Sequence, residues 1–379
     1  MQAAILYEHA ATRGATPADR GRGDVRPVAS CVNLGAVATR DDRAPAQGQL
    51  GLMAPVLGDG RPLLLALAGG LLLAGGFALF LAASGEFLPH DIRYLGMSAD
   101  DLCDVASCRI VDFMIHDRAA FGGTLVGLGV VYLWLTLFPL AAGEQWAWWV
   151  WLVSGTVGFL SFLSYLGYGY LDTWHGLATL ILLPLYVVGM ARSRQLVGPL
   201  DIRCLGRPGG WLARRDRFAG GRAVLLLGAV ATAAGGLVIL RVGLGDTFVP
   251  EDLEFMGLSA PELRALNPRL VPLLAHDRAG FGGGVFTLGL TTMACLWYAD
   301  LSRHLHQAVA LAGAVSLTAA LGVHFVVGYT DVWHLVPPAV AAAFLVTGLA
   351  IQHPGVPSRD PAEPDLEPVP GETRQGEDV

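Results

Sequence analysis

The sequence predicts an all-α integral membrane protein with eight transmembrane helices, arranged as two tandem parallel four-helix repeats. Three observations predict this. Of the 379 residues, 53% are hydrophobic and only 15% charged, whereas soluble domains carry about a quarter charged residues. The apolar residues gather in uninterrupted runs near 62–84, 119–140, 146–167, 173–190, 223–242, 280–298, 307–327 and 333–351. Each is long enough to cross about 30 Å of hydrocarbon at about 1.5 Å per residue. Finally, polar motifs recur: His116-Asp117-Arg118-Ala119-Ala120-Phe121-Gly122-Gly123 returns as His276-Asp277-Arg278-Ala279-Gly280-Phe281-Gly282-Gly283. Likewise Gly169-Tyr170-Leu171-Asp172-Thr173-Trp174-His175 returns as Gly328-Tyr329-Thr330-Asp331-Val332-Trp333-His334.

Residues 1–61 are rich in Gly, Pro, Ala and Arg without apolar periodicity, which reads as a disordered cytoplasmic arm, with Met53 as an alternative start. The run 62–84 ends in small residues and could pass for a cleaved leader, but its counterpart at 223–242 lies mid-chain, which argues for a retained helix. Repeat 1 covers 62–190 with an outer loop at 85–118, and repeat 2 covers 223–351 with an outer loop at 243–279. Four crossings per copy is an even number, so both copies insert in the same direction, related by an axis along the membrane normal. The tail 352–379, rich in Pro and Glu, should be a disordered cytoplasmic extension.

Arginine placement orients the chain, since net charge of −7 alone does not. The linker 191–222 holds eight arginines against two acids, and 1–61 holds seven more arginines. Loops 85–118 and 243–279 are acidic, with seven and six carboxylates against three arginines each. A multi-pass protein of the cytoplasmic (plasma) membrane with both termini inside follows. There is no lysine. Five cysteines form no CxxC pair, which excludes a zinc ribbon or thioredoxin-like motif. Cys103 and Cys108 share an outer loop where a disulfide would be permitted.

Within the loops, Ser98 and Ser259 each precede a carboxylate by three residues, the pattern of a capping box. Asn267-Pro268 reads as an N-cap with proline at the first helical position, with Ser107 in the equivalent place of the first copy. The helix carrying each His-Asp-Arg should therefore start about two turns earlier, outside the bilayer. Phe87-Leu88-Pro89-His90-Asp91 also pairs with Phe248-Val249-Pro250-Glu251-Asp252.

The candidate ligand- or proton-handling residues are His116, Asp117, Arg118, Asp172 and His175 in the first copy, and His276, Asp277, Arg278, Asp331 and His334 in the second. His324 aligns with Tyr165 and would add an imidazole to the second copy. For a transition metal, His116, Asp172 and His175 would form one ligand set and His276, Asp331 and His334 the other. Asp117 and Asp277 would then orient imidazoles, and Arg118 and Arg278 would hold an anionic ligand or lipid headgroup. Two imidazoles from different helices could instead hold a haem. An alternative is purely structural: interfacial ion pairs that fix helix depth, with Gly122-Gly123 and Gly282-Gly283-Gly284 permitting close packing. Trp174 and Trp333 would be belt residues, and so would Trp146, Trp148, Trp149 and Trp151 at an inner helix start. His304 and His306 should be solvated.

No phosphate loop or basic nucleic-acid surface is present, so no nucleic-acid partner is expected; the partner is the lipid bilayer, with a small-molecule or lipid-headgroup ligand at the outer face. The expected function is ligand or metal binding at an outward-facing site in each half, in a membrane enzyme or redox protein. A proton-coupled solute transporter and an assembly factor of the membrane are the alternatives.

Overall fold

In the computed structural model, residues 58–163, Tyr170, 173–213 and 216–353 are described. Before the Arg-rich connector lie α1 (Arg61–Ser84), α2 (Pro89–Leu95), α3 (Ala99–Ala106), α4 (Arg109–Leu135), α5 (Gln145–Leu163) and α6 (Thr173–Ser193). After it come α7 (Arg217–Leu244), α8 (Pro250–Met256), α9 (Ala260–Leu266), α10 (Leu270–Tyr298), α11 (Arg303–Val327) and α12 (Val332–Gln352). The connector itself forms three short 3-10 turns, and no strand occurs among the described residues. Seven helices, namely α1, α4, α6, α7, α10, α11 and α12, are long and apolar enough to cross a membrane. Helix α5 covers most of the apolar run 146–167, and residues 164–167 lie outside the described residues. The segments 1–57 and 354–379 lie outside them too.

The connectors between α1 and α4 and between α7 and α10 fold as helix pairs, for reasons written in their sequences. Pro89 and Pro250 open α2 and α8, and the third residue of each helix, Asp91 or Asp252, reaches back to accept from the backbone N–H of Leu88 at 3.3 Å or Val249 at 2.8 Å. Gly96 and Gly257 end the two helices at φ of 71° and 68°, a left-handed conformation suited to glycine. Ser98 and Ser259 then cap α3 and α9, and the reciprocal carboxylates Asp101 and Glu262 complete both capping boxes. Their bonds to Ser98 and Ser259 hold the Asp101 and Glu262 carboxyls below the usual range.

The starts of α4 and α10 differ from expectation. Asn267 ends α9 and its side-chain oxygen accepts from the Arg269 N–H at 3.0 Å, so α10 begins after Arg269 and Pro268 lies in the turn. Ser107 does not cap α4 either; Ser107 and Cys108 both adopt left-handed backbone, and Cys108 is joined to Cys103. Both helices still begin about two turns before their His-Asp-Arg. Phe87, Leu102, Phe113, Phe248, Met256 and Leu263 bury the apolar sides of the loop helices against α4 and α10, so the loops form a packed roof.

Helices α4 and α10 are the centre of the bundle: 61% of the apolar window of each is buried, against 6–28% for the other five candidate spans. Glycines let the neighbours close in. A Cβ on Gly122 would stand 2.9 Å from Gly75 O of α1, which explains Gly-Gly after each His-Asp-Arg as packing surface. The opposite end of the bundle departs from expectation. Trp146, Trp148 and Trp151 are buried, not belt residues. Trp151 stacks on Tyr132 at 3.9 Å and donates to Thr136 Oγ1, while Trp148 donates to Met190 O. The connector covers this end of α5, so the indoles meet protein and not headgroups. His304 likewise stacks on Phe138 at 3.9 Å and accepts from Trp134 Nε1 at 2.7 Å. Trp174 and Trp333 are exposed, as belt residues would be.

Candidate functional site

Successive residues on a helix point about 100° apart, so His, Asp and Arg of one motif cannot all face one neighbour. The structure uses this divergence. Arg118 turns to its own outer loop, donating to Asp91 Oδ2 at 2.7 Å, and Tyr170 OH donates to the other oxygen of Asp91. Asp277 of α10 approaches Arg118 at 3.6 Å and accepts from His276 Nδ1 at 2.9 Å. His276 Nε2 faces His175 Nδ1 at 3.3 Å. Asp91, Arg118, Tyr170, His175, His276 and Asp277 thus form one polar set.

The second set mirrors it. Arg278 makes a two-pronged contact with Asp252, one prong at 3.2 Å, and reaches Asp117 Oδ2 at 3.3 Å. Tyr329 OH donates to Asp252 Oδ1 at 2.9 Å, and His334 Nε2 lies 3.3 Å from the same oxygen. His116 Nδ1 donates to Asp117 at 3.0 Å, and its Nε2 faces His324 Nε2 at 3.1 Å.

The histidines are therefore exchanged relative to the expected ligand sets: His276 joins His175, and His116 joins His324 and His334. Asp172 and Tyr165 lie outside the described residues. Asp331 is the N-cap of α12, accepting from the N–H groups of Trp333 and His334 at 2.8 and 3.2 Å; its closest approach to the His334 ring is 3.5 Å. Arg118 and Arg278 do not project toward solvent, because each is held between two carboxylates. Asp91, Asp252, Tyr170 and Tyr329 were missed as site residues. Their signal was present, since all four recur in the paired motifs.

Hydrogen bonds orient the rings. Carboxylates accept, so Asp117 and Asp277 take Nδ1 of His116 and His276 as donors. In the second set, His324 Nδ1 also donates, to Ala320 O at 2.6 Å, and the Nε2 atoms of His116 and His324 meet at 3.1 Å. In the first set, His175 Nδ1 lies 3.3 Å from His276 Nε2. Outside the spans, burial favours a raised Asp252 pKa, but hydrogen bonds from His334 and Arg278 and the guanidinium charge hold it far below the usual range. Burial and the neighbouring Asp252 push the Tyr329 hydroxyl far up, keeping it a donor.

The sets differ in what lies beside them. A cavity of about 320 Å³ is bounded at its polar end by Asp91, Arg118, His175, His276 and Asp277, and continues between apolar walls of α1, α4, α5 and α6. From the second set only Asp117 reaches its wall. A smaller cavity of about 90 Å³ between α7, α10, α11 and α12 touches neither set otherwise.

Comparisons with family models, curated proteins and solved structures return no match.

Metal geometry can be tested on the nitrogens. At metal–imidazole distances of about 2.0–2.1 Å, two ligands of a tetrahedral ion stand about 3.3 Å apart and two trans ligands about 4 Å. The histidine pairs fit the first spacing and not the trans arrangement of a bis-histidine haem. Among the described residues, however, no group of three or more His, Cys, Asp or Glu side chains could hold a metal ion.

Proposed function

We propose that this chain is an eight-span protein of the cytoplasmic membrane, built from two parallel four-helix repeats with both termini inside, that binds a small molecule at its outer face. The polar end of the ligand meets His175, His276 and Asp277. One observation carries the reading: a roofed cavity within the range of ligand pockets has mostly apolar walls, and Asp91, Arg118, His175, His276 and Asp277 gather at one end of it. Helix α5 as the remaining crossing and the doubled Arg–Asp–Tyr clasps support the repeat. The acidic outer loops and the arginine-rich connector support the orientation. The His276–Asp277 pair has the form of an oriented base or acid, which suits a membrane enzyme moving a proton to or from the ligand.

A resident metal is the second reading, favoured by the 3.3 Å spacing of His175 Nδ1 and His276 Nε2. The test extracts the full chain directly into native nanodiscs and determines small molecules by mass spectrometry and metals by elemental analysis, in wild type and His276→Asn. A stoichiometric organic molecule that falls at least about tenfold in the folded variant supports the proposal. A stoichiometric metal lost in the variant moves the assignment to the second reading. Equal contents in both proteins, or neither species in wild type, overturns both.

A further inference from the structure

The cavity's shape, its mouth and an unanswered acceptor narrow the ligand, on the basis of the reading just given. Its wall on α1 runs from Leu67 to Leu81, about 21 Å of helix at about 1.5 Å per residue. That exceeds one leaflet of the hydrocarbon core, about 15 Å. The wall also includes Phe77 and Trp174, which are 45% and 52% exposed with ring centroids 6.2 Å apart. The cleft therefore reaches the outward surface of the bundle, where Leu73 and Phe80 of α1 are also exposed. Helices α1 and α6 meet at their other ends, where Gly189 packs on Leu64 with a prospective Cβ contact of 2.9 Å.

At the polar end, Asp277 Oδ2 is buried without a hydrogen bond; its nearest cation, Arg118 Nε, is 3.6 Å away. A buried carboxylate oxygen in that state calls for a donor. Arg118 already faces two carboxylates, so a phosphate or carboxylate entering here would meet excess negative charge. A hydroxyl would donate to Asp277 Oδ2 at no electrostatic cost.

We infer that the cavity takes a neutral, hydroxyl-headed lipid with a single long chain, which enters sideways from the bilayer on the side lined by the exposed Phe77 of α1 and Trp174 of α6. The hydroxyl sits against Asp277 and the histidine pair, and the chain lies along α1 toward Leu67. Phosphorylated lipids and fatty acids are excluded by charge.

The test places the full chain in phosphatidylcholine vesicles with a sixteen-carbon alcohol bearing a diazirine and an alkyne, or with the matching carboxylic acid. After irradiation, the alcohol is expected to label peptides containing Phe77, Leu125 or Trp174 at least about tenfold more than the acid does at neutral pH. Ala78→Trp and Leu125→Trp, each filling the cleft from a different helix, are expected to abolish that labelling in protein with unchanged helicity. Equal labelling by acid and alcohol overturns the lipid class. Labelling that survives both fillings overturns the cleft. Either result leaves the nanodisc comparison of wild type and His276→Asn standing, so failure here is distinguishable from failure of the polar site itself.

Discussion

The two polar sets share a guanidinium between two aspartates with a tyrosine and facing imidazoles, two in the first and three in the second, yet the first borders a cavity and the second is sealed except at Asp117. In the sealed set His324 takes the sequence position of Tyr165 in the first copy, and its Nε2 lies 3.1 Å from that of His116. The Arg278 and Asp117 side chains are 7% and 2% exposed, against 13% and 15% for Arg118 and Asp277. Packing below the sets differs in the same sense. Gly127 of α4 lies so close to α11 that a Cβ would overlap Ser316 Oγ, whereas a Cβ on Gly158 of α5 would meet Thr287 of α10 at an ordinary 3.5 Å. Identical motifs thus become a clasp or a pocket according to how tightly the helices around them close.

The comparison is broken most directly by stranding the carboxylates. Arg278→Met leaves Asp117 and Asp252 buried without their cation and is expected to cost about 3–5 kcal/mol. Arg118→Met should cost about 1–3 kcal/mol, because the cavity lets water reach the stranded group. Denaturation in bicelles measures both, and equal losses would abolish the distinction between sealed and open. Next, Gly127→Ala should destabilise by about 1–3 kcal/mol through overpacking, while Gly158→Ala should stay within about 0.5 kcal/mol; a reversed order would contradict the packing account.

Acid gives a third probe. A carboxyl whose folded pKa is depressed contributes stability above its unfolded pKa of about 3.9 and loses it as pH falls through the folded value. The Asp252 contribution should therefore persist from pH 8 to about pH 4 and vanish only in stronger acid. A melting temperature for Asp252→Asn that matches wild type at neutral pH would refute it. Smallest of all, Asp331→Ala should cost about 1 kcal/mol as a lost cap and Asp331→Asn almost nothing, as read by thermal melts. A large loss in the Asn variant would restore Asp331 to the site.

Much of this was legible in the sequence. Apolar runs located the long helices, because a bilayer leaves the backbone few other solutions. Ser98 and Ser259 announced their capping boxes, and His116, Asp117, His276 and Asp277 were recognisable as oriented imidazoles. The grouping was not legible, because repeat logic assigns His116 to His175 while the fan of a helix sends His and Asp across the α4–α10 seam. Asp91 and Asp252 were hidden by their local work at the starts of α2 and α8. Trp146, Trp148 and Trp151 misled because an aromatic cluster at a span end looks the same whether headgroups or the 3-10 turns of the connector cover it.

The crossing of histidine and aspartate over the α4–α10 seam makes the two parts of the chain obligate companions. A chain cut between Gly198 and Gly209 should yield fragments that each keep an Arg–Asp–Tyr clasp but lack the imidazole–carboxylate dyad their clasp receives from the other. Synthesised together they are expected to copurify and regain wild-type protease resistance; synthesised singly, each should be degraded. A fragment that survived alone would mean that the shared dyads do not govern assembly.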